Sequence, residues 1–343
     1  MNISLDPGFG AFKATTINGK QYTVTIPAIV GAGTLTKTHL STGLGRGKKH
    51  DEPINVSFDG VNYLVGDNVH RYARPIERLD WERLGNGPEL RALFYAALWH
   101  TAQDKMDGFT HNILVGLPVQ VLANASVAQS TRAKLRGWMV GEHHFSCCGV
   151  DTHYTIANVK TMAQPLGSFF NWGMDNAGQW IQSDNPRAKF AVADIGFNTL
   201  DLFVIEDGRV NERYSSGDTL GIRRANSFIK NSIKDRYGVT ISLHEADALM
   251  RSKSPVLHHS AGSTDLTPLV KQALADTFGG IASFMEDTWG NARQFRRVII
   301  TGGGAEALRD NLLTLYPHAT ILPDAQTANA VGLAKFAQRD IWK

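Results

Sequence analysis

Short apolar runs alternate with stretches of helical periodicity along most of the chain, the pattern of an α/β protein. Ile3 to Leu5 is predicted as a short strand running into Asp6-Pro7-Gly8-Phe9-Gly10. Ala14 to Ile17 is predicted as a second strand, with Asn18-Gly19 as its hairpin turn. Gln21 to Val30 fits a third, and Val56 to Val65, broken at Asp59-Gly60, a further hairpin. Pro88 is well placed to open a helix, and Leu90, Leu93, Phe94, Ala97 and Leu98 supply its core-facing stripe. Asn112 to Leu117 is predicted as a buried strand stopped by Pro118, and Leu122 to Gly137 as a helix. Residues 143–148 and 153–159 are predicted as a hairpin turning near Gly149.

The second half repeats the alternation. Lys189 to Ala193 is a buried strand ending in Asp194-Ile195-Gly196, and Leu200 to Ile205 continues into the turn Asp207-Gly208. Helices are predicted over 219–236, from the capping box Ser242/Glu245 to Met250, and over 267–289. Arg297 to Thr301 is a strand, Gly302-Gly303-Gly304 leads into a helix near 305–315, Thr320 to Leu322 is a strand, and Asp324 caps a last helix. One internal echo stands out. ISLDPGFGAFKATTINGK resembles AVADIGFNTLDLFVIEDGR, so that at one constant offset Asp6 matches Asp194, Gly8 matches Gly196 and Phe9 matches Phe197. Two similar domains, each giving one hairpin to a shared cleft, are expected from it.

Composition narrows the function classes. The 343 residues suffice for two domains without staples. The net charge of +3 is too small to announce a nucleic-acid binder. The most apolar short run, 92–99, is far below the ~20 residues of a membrane helix. The first residues lack the basic-then-apolar order of a signal peptide, and the two cysteines are adjacent (Cys147, Cys148), so a reducing cytoplasm and no membrane are expected. The marked count is 33 glycines.

Some of those glycines carry chemistry. A tight glycine turn between strands exposes backbone N–H groups in an anion-binding nest. A carboxylate just before it makes sense if Mg²⁺ lies between, through waters. Lys13 could return toward such phosphates as a point charge, or be a solvated strand lysine. Thr301 to Ala305 has the strand–glycine–helix context of a nucleotide site. It half-matches a dinucleotide fingerprint at Gly302, Gly304 and Ala307, but too little chain follows for a dehydrogenase to be expected. A Walker A loop is also excluded, because Gly47-Lys48 has Thr42 and Lys49 at its other defining places.

The elements DPGFGAFK (6–13), DIGFNTLD (194–201) and ITGGGA (300–305) resemble the phosphate-1, phosphate-2 and adenosine motifs of the actin, sugar-kinase and DnaK-type chaperone superfamily. Within it, the short chain and the IGFNTLD loop look most like the ParM/StbA group of prokaryotic and archaeal actin-like proteins. The resemblance implies a two-domain actin-like (ribonuclease H-like) fold with a nucleotide cleft between domains. Domain I would be residues 1–162, with a small inserted subdomain at about 20–85 and completion by a C-terminal helix at 330–343; domain II would be 163–329. It implies ATP, with GTP as an alternative, and Mg²⁺ held by Asp6 and Asp194 through water. Gly8, Phe9, Gly10 and Lys13 match the first phosphate loop, Gly196, Asn198 and Thr199 the second, and Gly302, Gly303 and Gly304 the adenosine turn. Gln164 stands where relatives orient the attacking water; its alternative is a polar residue opening a helix. Pro7, Phe9 and Phe197 depart from the smaller residues usual there, and Ser242 to Met250 is a candidate wall of the adenine pocket.

The resemblance therefore implies an ATPase that assembles head-to-tail into filaments, for plasmid or DNA segregation or a cytoskeletal role, with an adaptor protein linking it to DNA. A small-molecule kinase of the same superfamily is the first alternative. A nucleotide-dependent chaperone or regulatory module is the second, and this sequence leaves no room for a chaperone's peptide-binding domain. Other clusters carry less. His143, His144, Cys147, Cys148 and His153 resemble metal ligands, but adjacent cysteines lack zinc spacing and would face opposite ways on a strand, so a plain hairpin is expected there. The cysteine pattern also argues against the zinc-bearing sugar kinases. GLGRGKK (43–49) is expected to be a solvated loop and His258-His259 loop surface.

Overall fold

A computed structural model describes residues 1–35, 52–76, 84–102 and 110–342. The basic segment 43–49 lies outside them. In chain order the elements begin with β1 (Asn2–Pro7), β2 (Ala11–Asn18), β3 (Lys20–Pro27), β4 (Val30–Ala32), β5 (Ile54–Phe58), β6 (Val61–Val65), α1 (Pro88–Ala102) and β7 (Thr110–Leu117). Next come α2 (Val119–Ala123), α3 (Ala125–Met139), β8 (Gly141–Cys147), β9 (Val150–Ala163) and α4 (Gln164–Gly173). The chain continues through β10 (Phe190–Ile195), β11 (Leu200–Glu206), β12 (Arg209–Val210), β13 (Ser216–Asp218), α5 (Arg223–Tyr237), α6 (Leu243–Arg251) and the hairpin β14 (Val256–His259)–β15 (Gly262–Asp265). It ends with α7 (Thr267–Trp289), β16 (Arg297–Thr301), α8 (Arg309–Leu315), β17 (Ala319–Ile321) and α9 (Ala328–Phe336). Among the described residues, no helix is long and apolar enough to cross a membrane.

The chain divides into two compact α/β units. The first comprises 1–117, 121–181 and 329–343; the second comprises 118–120 and 182–328. In the first, the described strands form a mixed sheet in the order β3-β2-β1-β7-β9-β8-β5-β6-β4. β1 pairs antiparallel with β2 and parallel with β7. Leu90, Leu93, Phe94, Ala97 and Leu98 are all buried in its core, as the helical stripe predicts. In the second unit the order is β12-β11-β10-β16-β17, with β13 also on β11. Again the first hairpin strand, β10, pairs antiparallel with its partner β11 and parallel with a later strand, β16.

The structure differs from expectation at several boundaries. Strands from residues 20–85, the expected small inserted subdomain, continue the nine-strand sheet of the first unit. The unit junction falls at 181/182, whereas the expected boundary was 162/163. The cause is packing of α4, whose Ser168 hydroxyl donates to Asn329 Oδ1 at 2.6 Å and whose Phe170 ring stacks on Phe336 at 4.5 Å. The helix expected over 122–137 is split, because the Asn124 side chain accepts from the N–H groups of Ser126 and Val127 and opens a second helix. Asp324 sits at φ 50°, and it is its backbone carbonyl that accepts from Thr327, so α9 starts four residues later. His258 and His259 lie on β14 of a hairpin, not in a loop.

One core residue makes the first unit acid-sensitive. His111, on β7, is fully buried with neither ring nitrogen hydrogen-bonded, and burial pushes its imidazole down to about 4. The unfolded chain binds that proton near 6.5 and the folded chain does not. Its contribution is therefore complete above the unfolded value and is lost as pH falls toward 4, by about 3 kcal/mol at most. Urea unfolding of the wild type and His111→Phe across this range should show the variant losing that share of the pH dependence. Identical pH profiles would refute the assignment.

Candidate nucleotide site

Each unit carries one Asp-x-Gly-Phe turn between the two strands of its first hairpin. In the first unit Asp6 ends β1 and is 2% exposed. Strand register puts Lys13 directly opposite it, and Lys13 Nζ donates to Asp6 Oδ2 at 3.0 Å. Gln164 opens α4 straight after β9 and donates from Nε2 to Asp6 Oδ1 at 2.7 Å. Three residues named separately from the sequence thus form one buried cluster. Gly8 lies over it: a Cβ there would meet Ala11 O at 2.7 Å and Lys13 Nζ at 3.1 Å. Gly10 accepts from Ala28 N–H at 3.0 Å, and Phe9 is buried.

In the second unit Asp194, Asn198 and Thr199 are all buried. Gly196 N–H donates to Thr199 O at 2.8 Å and closes the turn. The backbone before α5 docks on it: Gly221 N–H donates to Asn198 O, Ile222 N–H to Gly196 O and Arg223 N–H to Phe197 O. Gly302 has φ 93°, and a Cβ on it would collide with Ile195 O and Asp194 Oδ1. Gly304 N–H donates to Ile195 O at 2.8 Å. The adenosine-type turn 302–304 and the second phosphate-type turn are therefore packed together.

Several residues escaped the sequence reading. Asp201 stands where the internal echo has Lys13. It is register partner to Asp194 and is 1% exposed. Two like charges directly opposite on neighbouring strands repel. Asp201 Oδ1 accepts the Val119 N–H at 3.0 Å and Oδ2 the Thr199 hydroxyl at 3.3 Å. Arg223 Nη1 donates to Asn198 Oδ1 at 3.1 Å. Arg251, at the end of α6, donates to Gly303 O at 3.0 Å and pairs with Asp247 at 2.7 Å. This brings the end of the α6 segment, expected beside an adenine, against the 302–304 turn. Asp201 was visible as the last residue of IGFNTLD; the two arginines gave no local signal.

Within each unit the turn carries a carboxylate of the kind a hard divalent cation takes. Asp6 and Asp194 offer carboxylate oxygens, the ligands Mg²⁺ takes directly or through water.

Comparison with known proteins agrees with the two-unit α/β fold. Residues 4–167 match the family model for the N-terminal domain of actin-like proteins, and residues 192–314 match the C-terminal model of the archaeal MreB-like actin homologues. No protein of the curated set matches the sequence significantly. Among solved structures, the archaeal actin homologue Ta0583 superposes with a TM-score of 0.76 at 18% identity, covering 99% of each chain. Its complex with ADP gives 0.72 at 17%, again covering 99% of each chain. A subunit of the 15-stranded ParM filament from Clostridium botulinum gives 0.75 at 20%, covering 98% of each.

Gly302→Ala tests the packing of the second unit. The added methyl meets a backbone carbonyl and a carboxylate oxygen in a left-handed backbone, so it should cost about 1–3 kcal/mol. Thermal melting should fall accordingly, whereas Gly303→Ala, with only distant neighbours for a Cβ, should melt near the wild type. Equal effects of the two would contradict the packing described.

Proposed function

Because the chain belongs to the actin-like protein family, with a family model matching each of its halves, we propose that it binds and hydrolyses ATP with Mg²⁺ and assembles into filaments. The observation that carries this reading is the Asp6–Lys13–Gln164 cluster beneath the Gly8 turn, together with the second Asp-Gly turn of the same build. The neighbours' states support it: one is described with ADP and one as a filament.

In this reading the turns at 8–10 and 196–199 present backbone to phosphates, and Lys13 supplies a fixed positive charge there. Gln164 orients the water that attacks the terminal phosphate, after its amide turns from Asp6. Phosphoryl transfer asks for this positioning and charge stabilisation more than for covalent chemistry. Bound Mg²⁺, held through water by Asp6 and Asp194, would neutralise developing phosphate charge. Arg223 holds Asn198, and Arg251 holds the 302–304 turn beside the base. GTP is an alternative nucleotide. The cellular role proposed is segregation of plasmid or other DNA, or a cytoskeletal one, in the cytoplasm, with a separate adaptor meeting the DNA.

Pelleting and light scattering with Mg-ATP against ADP, alongside phosphate release, test the reading. Assembly that depends on ATP is expected. Asp194→Ala should abolish nucleotide-dependent assembly. Gln164→Ala should retain ATP binding while slowing phosphate release by about 100-fold or more. Full hydrolysis by Gln164→Ala would remove its role, and absence of nucleotide-dependent assembly would sink the filament. Phosphate release that required an added sugar or acid would instead indicate the kinase.

A further inference from the structure

The hairpin β8–β9 sorts its side chains by strand alternation, and it separates two histidines that are neighbours in sequence. His143 points inward, where it is buried and hydrogen-bonded to Met139 O at 2.8 Å and to the Tyr95 hydroxyl at 3.2 Å. Cys147 is also buried, and Cys148 occupies the left-handed turn at φ 52°. Outward-facing are Glu142 and His144 on β8 and, across the ladder, His153 on β9.

His144 and His153 are register partners. Their rings stack 4.4 Å apart with 3° between planes. Glu142 lies two residues before His144 on the same face, with Oε2 3.8 Å from His144 Nε2. One ligand atom from each of the three falls within 4.8 Å of the others. In addition, His153 Nε2 is buried without a hydrogen-bond partner. Such a nitrogen is costly to leave unmet.

We propose that Glu142, His144 and His153 bind a divalent transition-metal ion of the Zn²⁺ type. Two imidazoles and one carboxylate are donors that Zn²⁺ takes, at about 2.0–2.2 Å each. The ladder pairs Glu142↔Thr155, His144↔His153 and Ser146↔Asp151 hold the two backbones, so side-chain rotation alone closes the ligands on the ion. Imidazole donors select against Mg²⁺ and Ca²⁺. Three protein ligands leave a fourth position for water or an anion. The same two histidines line an open cavity of about 540 Å³, whose wall continues through Ser57, Phe58, Ser146 and Asp151. The ion ties β8 to β9 from outside, on the face opposite the aromatic packing of Tyr95 and Phe145. This site stands apart from the nucleotide reading and does not rest on it.

Calorimetric titration of the full, untagged, chelator-washed chain with ZnCl₂ tests the site. Saturable Zn²⁺ binding is expected, and excess MgCl₂ should not compete for it. His144→Ala and His153→Ala should each weaken it by at least the ~10–100-fold that outer partners of such sites cost. Glu142→Gln should weaken it less. Addition of Zn²⁺ should raise the melting temperature of the wild type and leave that of the His144→Ala/His153→Ala double variant unchanged. Failure of the wild type to bind Zn²⁺, or undiminished binding by a His144→Ala/His153→Ala double variant, overturns the proposal. Phosphate release is read separately and bears only on the nucleotide site.

Discussion

A buried carboxylate must be met by donors, and Asp6 is the point where the first unit meets that demand. An unpaired carboxylate at this depth would cost several kcal/mol. Its two partners come from different elements: Lys13 from the next strand of the hairpin, and Gln164 from the first residue of α4. The pair Asp6↔Lys13 therefore agrees with the β1–β2 register, and Asp6–Gln164 with the point at which β9 becomes helix. Gly116 on β7 belongs to the same constraint, since a Cβ there would meet Gln164 Cγ at 2.9 Å. Sheet, turn and helix start meet at one carboxylate.

The second unit repeats the geometry with different electrostatics. Where the echo has an opposite-charge pair, Asp6 and Lys13, it has the like-charge pair Asp194 and Asp201. The first turn arrives neutralised by its own lysine. The second keeps two carboxylates on one face, and Asp201 accepts from the Val119 N–H and the Thr199 hydroxyl. A repeat in fold is thus not a repeat in charge.

The glycine hairpins were legible because their causes are local. Asp59-Gly60 and Asp207-Gly208 take the left-handed backbone at both residues and Asn18-Gly19 at the glycine, at the positions read from the sequence. The starts of α5 and α8 were not, because distant groups decide them. Residues 221–223 give their amides to the 196–198 turn at the point where α5 begins, and Gly304 gives its amide to Ile195 ahead of α8. Arg223 and Arg251 were invisible for the same reason: each reaches a partner far along the chain. The histidine and cysteine cluster failed differently. Spacing argued against the cysteines as ligands, and that Glu142 shares a face with His144 and His153 followed only from the ladder register.

The site also depends on a helix crossing that no motif announces. In the first unit α9 lies against both β1 and α4: Ser4 Oγ donates to Ala330 O at 2.6 Å, and Lys335 Nζ donates to Asn171 O at 2.9 Å. The approach is so close that a Cβ on Gly332 would strike Gly167 O, and one on Gly167 would strike Asn329 O. Glycine at both positions lets the two backbones touch. Gln164 sits one turn before Gly167 on α4, and Asp6 two residues after Ser4 on β1. The distance between donor and carboxylate is therefore governed by how tightly α9 draws these two elements together. Part of the geometry of the catalytic amide proposed here is written in residues 329–335, in a helix with no chemical role of its own.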